Sequence, residues 1–137
     1  MAYHEAGHAV VAWACGDTVE LVSLLSSPPK TSRRGDETNA EIALIVAHGG
    51  MQSEERLTAN PEPSEGAAGD LDKIEWILRD HLPKGVTREV FKARAMSQAK
   101  TFISRHWNLV EAVASALMRD RELSEGRFAD IVKDESS

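Results

Sequence analysis

Two histidines and a glutamate in the stretch Ala2-Tyr3-His4-Glu5-Ala6-Gly7-His8-Ala9-Val10-Val11 have the types and spacing needed for metal-assisted hydrolysis. On an α-helix, His4 and His8 stand one turn apart on the same face. Both imidazoles can then reach one Zn2+, with Glu5 beside them. Zinc lowers the pKa of a bound water to about 7 and polarises a carbonyl, and in hydrolases of this pattern the Glu carries the water's proton to the leaving amine. The plain alternative is that these are surface residues of a helix. The flanks oppose it: Ala6, Ala9, Val10 and Trp13 would bury the helix, and Gly7 lets another backbone come close.

Other elements must bring further groups to that helix. It should run over residues 2–14 and stop near Gly16, a natural C-terminal cap. Met1 leaves barely a turn before His4, so a fraying end could loosen that residue. Residues 18–25 are β-branched and partly alternating, which predicts one strand. Ser26-Ser27-Pro28-Pro29 ends it, and a polar loop follows through Gly35. Asp36 or Thr38 can cap a second helix, reaching about Ala59, that carries Ala40, Ile42, Ile45, Val46, Gly49, Gly50 and Met51. Two adjacent glycines inside a helix cost about 1 kcal/mol each. Close packing against the first helix would offset that, and a local break is the other outcome.

On the same helix, His48 reads as a satisfied structural residue rather than a ligand. Glu54 or Glu55 could accept the ring N–H of a metal-bound His, or could simply be exposed carboxylates. Residues 61–66 are irregular and lead to a third helix that starts near Asp70, which shares a face with Ile74 and Ile77. Read from the residues alone, Asp70 is either a metal ligand or a first-turn carboxylate favoured by the helix dipole, with Asp72 as the fallback ligand. Pro83 and Gly85 close that helix near His81 and Leu82. Thr87 opens a long helix with Val90, Phe91, Ala95, Ala99, Phe102 and Ile103 on one side. Asn108 with Glu111 resembles a capping box for the next, whose Leu109, Val113 and Leu117 repeat at helical spacing, giving an antiparallel helical pair. His106 and Trp107 at the junction read as packing residues. Ser124 can cap a short last helix with Phe128, Ile131 and Val132 before a frayed tail over 133–137.

At His4-Glu5-Ala6-Gly7-His8 the chain resembles the peptidase domain of the FtsH family of ATP-dependent zinc metallopeptidases. Gly49-Gly50-Met51-Gln52-Ser53-Glu54-Glu55 is similar to that family's GG-x-x-x-EE helix segment, and Gly66-Ala67-Ala68-Gly69-Asp70-Leu71 to its G-A-x-x-D-L/I segment. Residues 87–132 are similar to its closing helices, so the resemblance covers most of the chain. It implies a mostly α, FtsH-peptidase-like domain with a minimal β element. It also implies Zn2+ held by His4, His8 and Asp70, with Glu5 as general base for peptide-bond hydrolysis. The substrate implied is an unfolded protein or peptide held along an exposed edge strand. A separate ATPase partner and a homo-oligomer are open to such a domain. Here the family's second strand is absent or very short, which favours the competing expectation of a non-catalytic metal-binding or interaction module. No oxyanion stabiliser is identifiable among the candidates Tyr3, His48 and His81.

At 137 residues the chain predicts one domain over 1–137. Lys and Arg number 16 against 22 Asp and Glu, a net charge of −6, which argues against nucleic acid or an anionic membrane as partner. A single cysteine, Cys15, excludes an internal disulfide framework. There is no signal-peptide pattern, no apolar run of about 18 residues, and no GxxxxGK[ST] phosphate loop. The expectation is a cytoplasmic protein without a membrane span.

Overall fold

A computed structural model describes residues 1–35, 39–59 and 67–136. Its organising element is α1, Ala2–Ala14, in which Ala6, Ala9, Val10, Val11 and Ala12 have no exposed surface. A helix apolar on nearly every side has to be surrounded. Here α2 (Ala40–Thr58), α5 (Trp107–Asp120) and a small sheet surround it. The helix closes as a Schellman motif: Gly16 takes φ +88°, its N–H donates to the Trp13 carbonyl, and Asp17 N–H donates to that of Ala12. The expected frayed start does not occur, because Glu5 N–H bonds the Met1 carbonyl and His4 is completely buried.

The sheet is antiparallel, in the order β2-β1-β3, with β1 at Val19–Ser23, β2 at Lys30–Arg33 and β3 at Glu122–Ser124. Two of these strands depart from the expectation of one strand followed by a polar loop. β2 forms inside that loop because its polar side chains need face the core on one side only. The Asp17 carboxylate ties both ends of the hairpin together, accepting from Thr18 N–H, Gly35 N–H and the Arg33 guanidinium. β3 is three residues long, too short to leave a periodic signal, and it places Leu123 beside Val22 in the core.

α2 stays helical through Gly49 and Gly50. Asn39 caps it, its side chain accepting from Ile42 N–H; the expected caps Asp36 and Thr38 lie outside the described residues. α3 spans Ala68–Asp80 and buries Ile74, Ile77 and Leu78. α4 spans Arg88–Arg105, is capped by Thr87 as expected, and buries Phe91, Ala95, Ala99 and Ile103 at successive turns. The capping box expected at Asn108 is not formed: α5 already begins at Trp107, which places Asn108 inside the helix. α4 packs mainly on α2, and α5 mainly on α1, so the two closing helices are joined through the first two. α6, Glu125–Glu135, is capped by Ser124 and runs through most of the expected tail. The fold is mostly α with a small sheet. No helix among the described residues is long and apolar enough to cross a membrane.

Candidate metal centre

α1 and α2 touch where both lack side chains. A Cβ on Gly7 would lie 2.4 Å from the Gly49 carbonyl oxygen, and one on Gly50 would lie 2.6 to 2.7 Å from ring atoms of His4 and His8. The glycine pair therefore makes room for the two imidazoles between the helices. α3 brings Asp70 from the other side. Its Oδ2 stands 2.6 Å from His4 Nε2 and 2.9 Å from His8 Nε2, and the two nitrogens are 3.1 Å apart.

The outer nitrogens decide what this triangle can hold. His8 Nδ1 lies 2.7 Å from the Val46 carbonyl, which only accepts, so the ring proton sits on Nδ1 and a neutral His8 has a bare Nε2. His4 Nδ1 faces the Glu54 carboxylate and by the same reasoning donates to it. Three lone pairs, two from imidazoles and one from a carboxylate, thus converge with no donor of their own unless a histidine becomes charged. That donor set fits Zn2+, whose bonds to N and O of about 2.0 to 2.2 Å put tetrahedral ligand atoms about 3.3 Å apart. The observed spacings of 2.6, 2.9 and 3.1 Å are tighter than that, the His4–Asp70 pair most of all.

Electrostatics agree with the geometry. Burial disfavours a charged His4, but bonds to Asp70 and Glu54 outweigh it and hold its pKa above the ordinary value. Burial would raise Asp70, yet the His4 and His8 rings, which donate to it from Nε2 when they carry charge, prevail and hold its carboxyl well below the usual range. Two carboxylates around two rings favour positive charge between them.

Glu5 is 4% exposed, and its carboxylate lies within 4.8 Å of ligand atoms of both histidines. It opens onto a cleft of about 640 Å³ bounded by residues 28–33, His8, Asp70 and Lys73.

Of the paired candidates, Glu54 is the one against His4, while Glu55 lines a different cavity beside Lys100 and Ser104. Asp72 is exposed. Cys15 is half-buried at the far end of α1. None of the oxyanion candidates borders the cleft: Tyr3 packs against Trp107 with its ring tilted, His81 meets Trp76 edge-on, and His48 is buried. Three parts of the centre had no adequate signal in the sequence. The Val46 carbonyl is a backbone group, Thr31, whose hydroxyl donates to the Glu5 carboxylate, falls in a stretch that reads as a loop, and the fit of Gly50 over both rings depends on how the helices cross.

His48 also departs from the satisfied residue expected. It is 2% exposed, and among the described residues its Nε2 has no hydrogen-bond partner. Burial, then the charges of Lys92 and His8 against that of Asp70, push its pKa down to about 4. Between pH 6.5 and about 4 the unfolded chain takes up a proton that native His48 refuses, so stability falls as pH drops through that window. The loss reaches up to about 3 kcal/mol. His48→Leu removes both this term and the unpaired nitrogen. In urea titrations the variant should be no less stable than wild type at pH 7 and should gain on it steadily down to pH 4. A constant difference across the window would contradict a neutral buried His48.

Two curated proteins align with the chain. They are the chloroplastic ATP-dependent zinc metalloprotease FTSH 6 of Oryza sativa subsp. japonica and the ATP-dependent zinc metalloprotease FtsH of Chloroflexus aggregans. Each is 34% identical over 95 residues. The chain is distantly similar to FtsH zinc metalloproteases. The alignment covers 58% of this chain but only 13% of the rice protein and 14% of the Chloroflexus one. No family model matches the chain. The similarity supports a peptidase-related origin.

Proposed function

We propose that residues 1–137 form a single zinc-dependent peptidase domain. The observation that carries this reading is the convergence of His4 Nε2, His8 Nε2 and Asp70 Oδ2, with both outer nitrogens committed as donors, beside a carboxylate that faces a cleft. His4, His8 and Asp70 would hold the metal. Glu54 and the Val46 carbonyl would fix the ring tautomers and orientations, the support that metal-bound histidines usually have. Zinc, when bound, supplies Lewis-acid polarisation of the scissile carbonyl.

The proton steps belong to Glu5. Its carboxylate takes a proton from the attacking water and delivers it to the leaving amine nitrogen as the C–N bond breaks. An extended peptide would lie along β2, the outer strand on the cleft side of the sheet, whose residues form one wall of the cleft. Unfolded protein or short peptides are the substrate class that suits so short an edge, with or without a separate ATPase to deliver them. The four-residue length of β2 is also what favours the second reading, a metal-binding module that no longer cuts.

Zinc stoichiometry and cleavage of unfolded casein, measured on one sample of wild type beside Glu5→Gln, separate the two. The expected result is one zinc per chain in both proteins and a loss of cleavage of at least about 100-fold in the variant. One zinc without cleavage in wild type would favour the module. Cleavage unchanged by Glu5→Gln would remove Glu5 from the mechanism.

A further inference from the structure

Among the described residues, the Glu5 carboxylate accepts its hydrogen bond from Thr31, whose Oγ1 lies 3.0 Å from Glu5 Oε1 and 3.2 Å from the Glu5 backbone carbonyl. We propose that Thr31 is the positioning residue for the general base: its hydroxyl holds Oε1 and leaves the second carboxylate oxygen to work on the water. This rests on the peptidase reading above.

The physical case has three parts. A glutamate side chain has freely rotating bonds, and a base that must meet a water in one place needs them locked. Thr31 is β-branched and sits on a strand, so its χ1 is restricted and its hydroxyl direction follows the backbone. That backbone is itself set by the pairing of Thr31 with Val22 on the central strand, and Val22 is fully buried. The second contact, to the Glu5 carbonyl, ties the hydroxyl to the helix that carries His4 and His8. One side chain therefore registers the base, the metal-facing helix and the strand that walls the cleft.

Thr31→Val keeps the shape and removes the hydroxyl; Thr31→Ser restores it. With zinc-loaded protein and unfolded casein, Thr31→Val should lower kcat roughly tenfold to a hundredfold, with KM and zinc content unchanged, the pattern of an interaction made for the transition state. Thr31→Ser should recover most of that loss. A strand contact that merely supports the fold would instead lower thermal stability and zinc content together with activity, and a result of that kind overturns the proposal.

A second readout does not depend on turnover. The 13C resonance of the Glu5 carboxyl, assigned by its disappearance in Glu5→Gln and followed at one pH, should move in Thr31→Val and return in Thr31→Ser. A resonance that stays put in Thr31→Val rejects the hold on Glu5, even where wild type cuts casein. Should the resonance move while wild type shows no Glu5-dependent cleavage, the peptidase reading fails, and the catalytic role of Thr31 fails with it.

Discussion

Gly7→Ala is expected to destabilise the domain by about 1–3 kcal/mol or more, the usual range for overpacking a close contact. The new methyl would sit 2.4 Å from the Gly49 carbonyl oxygen and 2.6 Å from Ser53 Cβ. The first of these obstacles is backbone and cannot rotate away. Alanine in a helix gains up to about 1 kcal/mol over glycine, which is smaller than the clash, so the net sign is unfavourable. Relief requires α1 and α2 to move apart, and these two helices carry both histidines, the Val46 carbonyl and Glu54. Zinc affinity should therefore fall along with the melting temperature. Gly126→Ala is the control, since among the described residues nothing lies within 4 Å of the place its methyl would take, and α6 carries none of the groups of the centre. It should leave zinc binding alone and raise stability by about 0.5–1 kcal/mol. Thermal melts of the three proteins with and without a chelator check both halves. A Gly7→Ala protein as stable as wild type would mean the helices do not meet this closely.

Asp70→Asn should weaken zinc binding by at least about tenfold. The substitution keeps the shape and removes the anion opposite a doubly charged ion. With the rings neutral and no metal bound, it also supplies an N–H2 group able to donate to a bare imidazole nitrogen 2.6 or 2.9 Å away. Both effects act in one direction: the bound state loses attraction and the free state gains a hydrogen bond. Competition with a chromophoric chelator at fixed pH measures the change. Asp72→Asn, exposed on the same helix, should have no effect. Equal affinity in wild type and Asp70→Asn would reject Asp70 as a ligand.

Much of the secondary structure was legible from local pattern. α1 ends where Gly16 permits a positive φ, α4 begins at the Thr87 cap and α6 at the Ser124 cap. Of the expected α4 stripe, Phe91, Ala95, Ala99 and Ile103 are buried and Phe102 is partly so, while Val90 is exposed; Leu109, Val113 and Leu117 are buried as their spacing requires. The errors fell where local signals are weak. Strands of three and four residues have almost no periodicity to read. At Asn108 a capping motif lost to packing, because α5 continues one residue earlier with Trp107 packed against Tyr3. His48 looked like a residue with partners, since a sequence shows that a polar group lies on a packed face but not whether anything there can bond to it.

Local spacing alone puts His4, Glu5 and His8 together on one helix, because separations of one and four residues are set by helix geometry. That α1 must be buried follows in the same way, because its residues are apolar on nearly every side. That Asp70, 62 and 66 residues away, stands against both rings follows from packing and not from local pattern. The same is true of the Val46 carbonyl and Glu54, which orient the imidazoles, and of Thr31, which holds Glu5. These contacts join residues far apart in the chain. Their distances depend on how closely the helices and the hairpin approach one another, and that approach is set by the absent side chains of Gly7, Gly49 and Gly50 together with the pairing of β2 on β1.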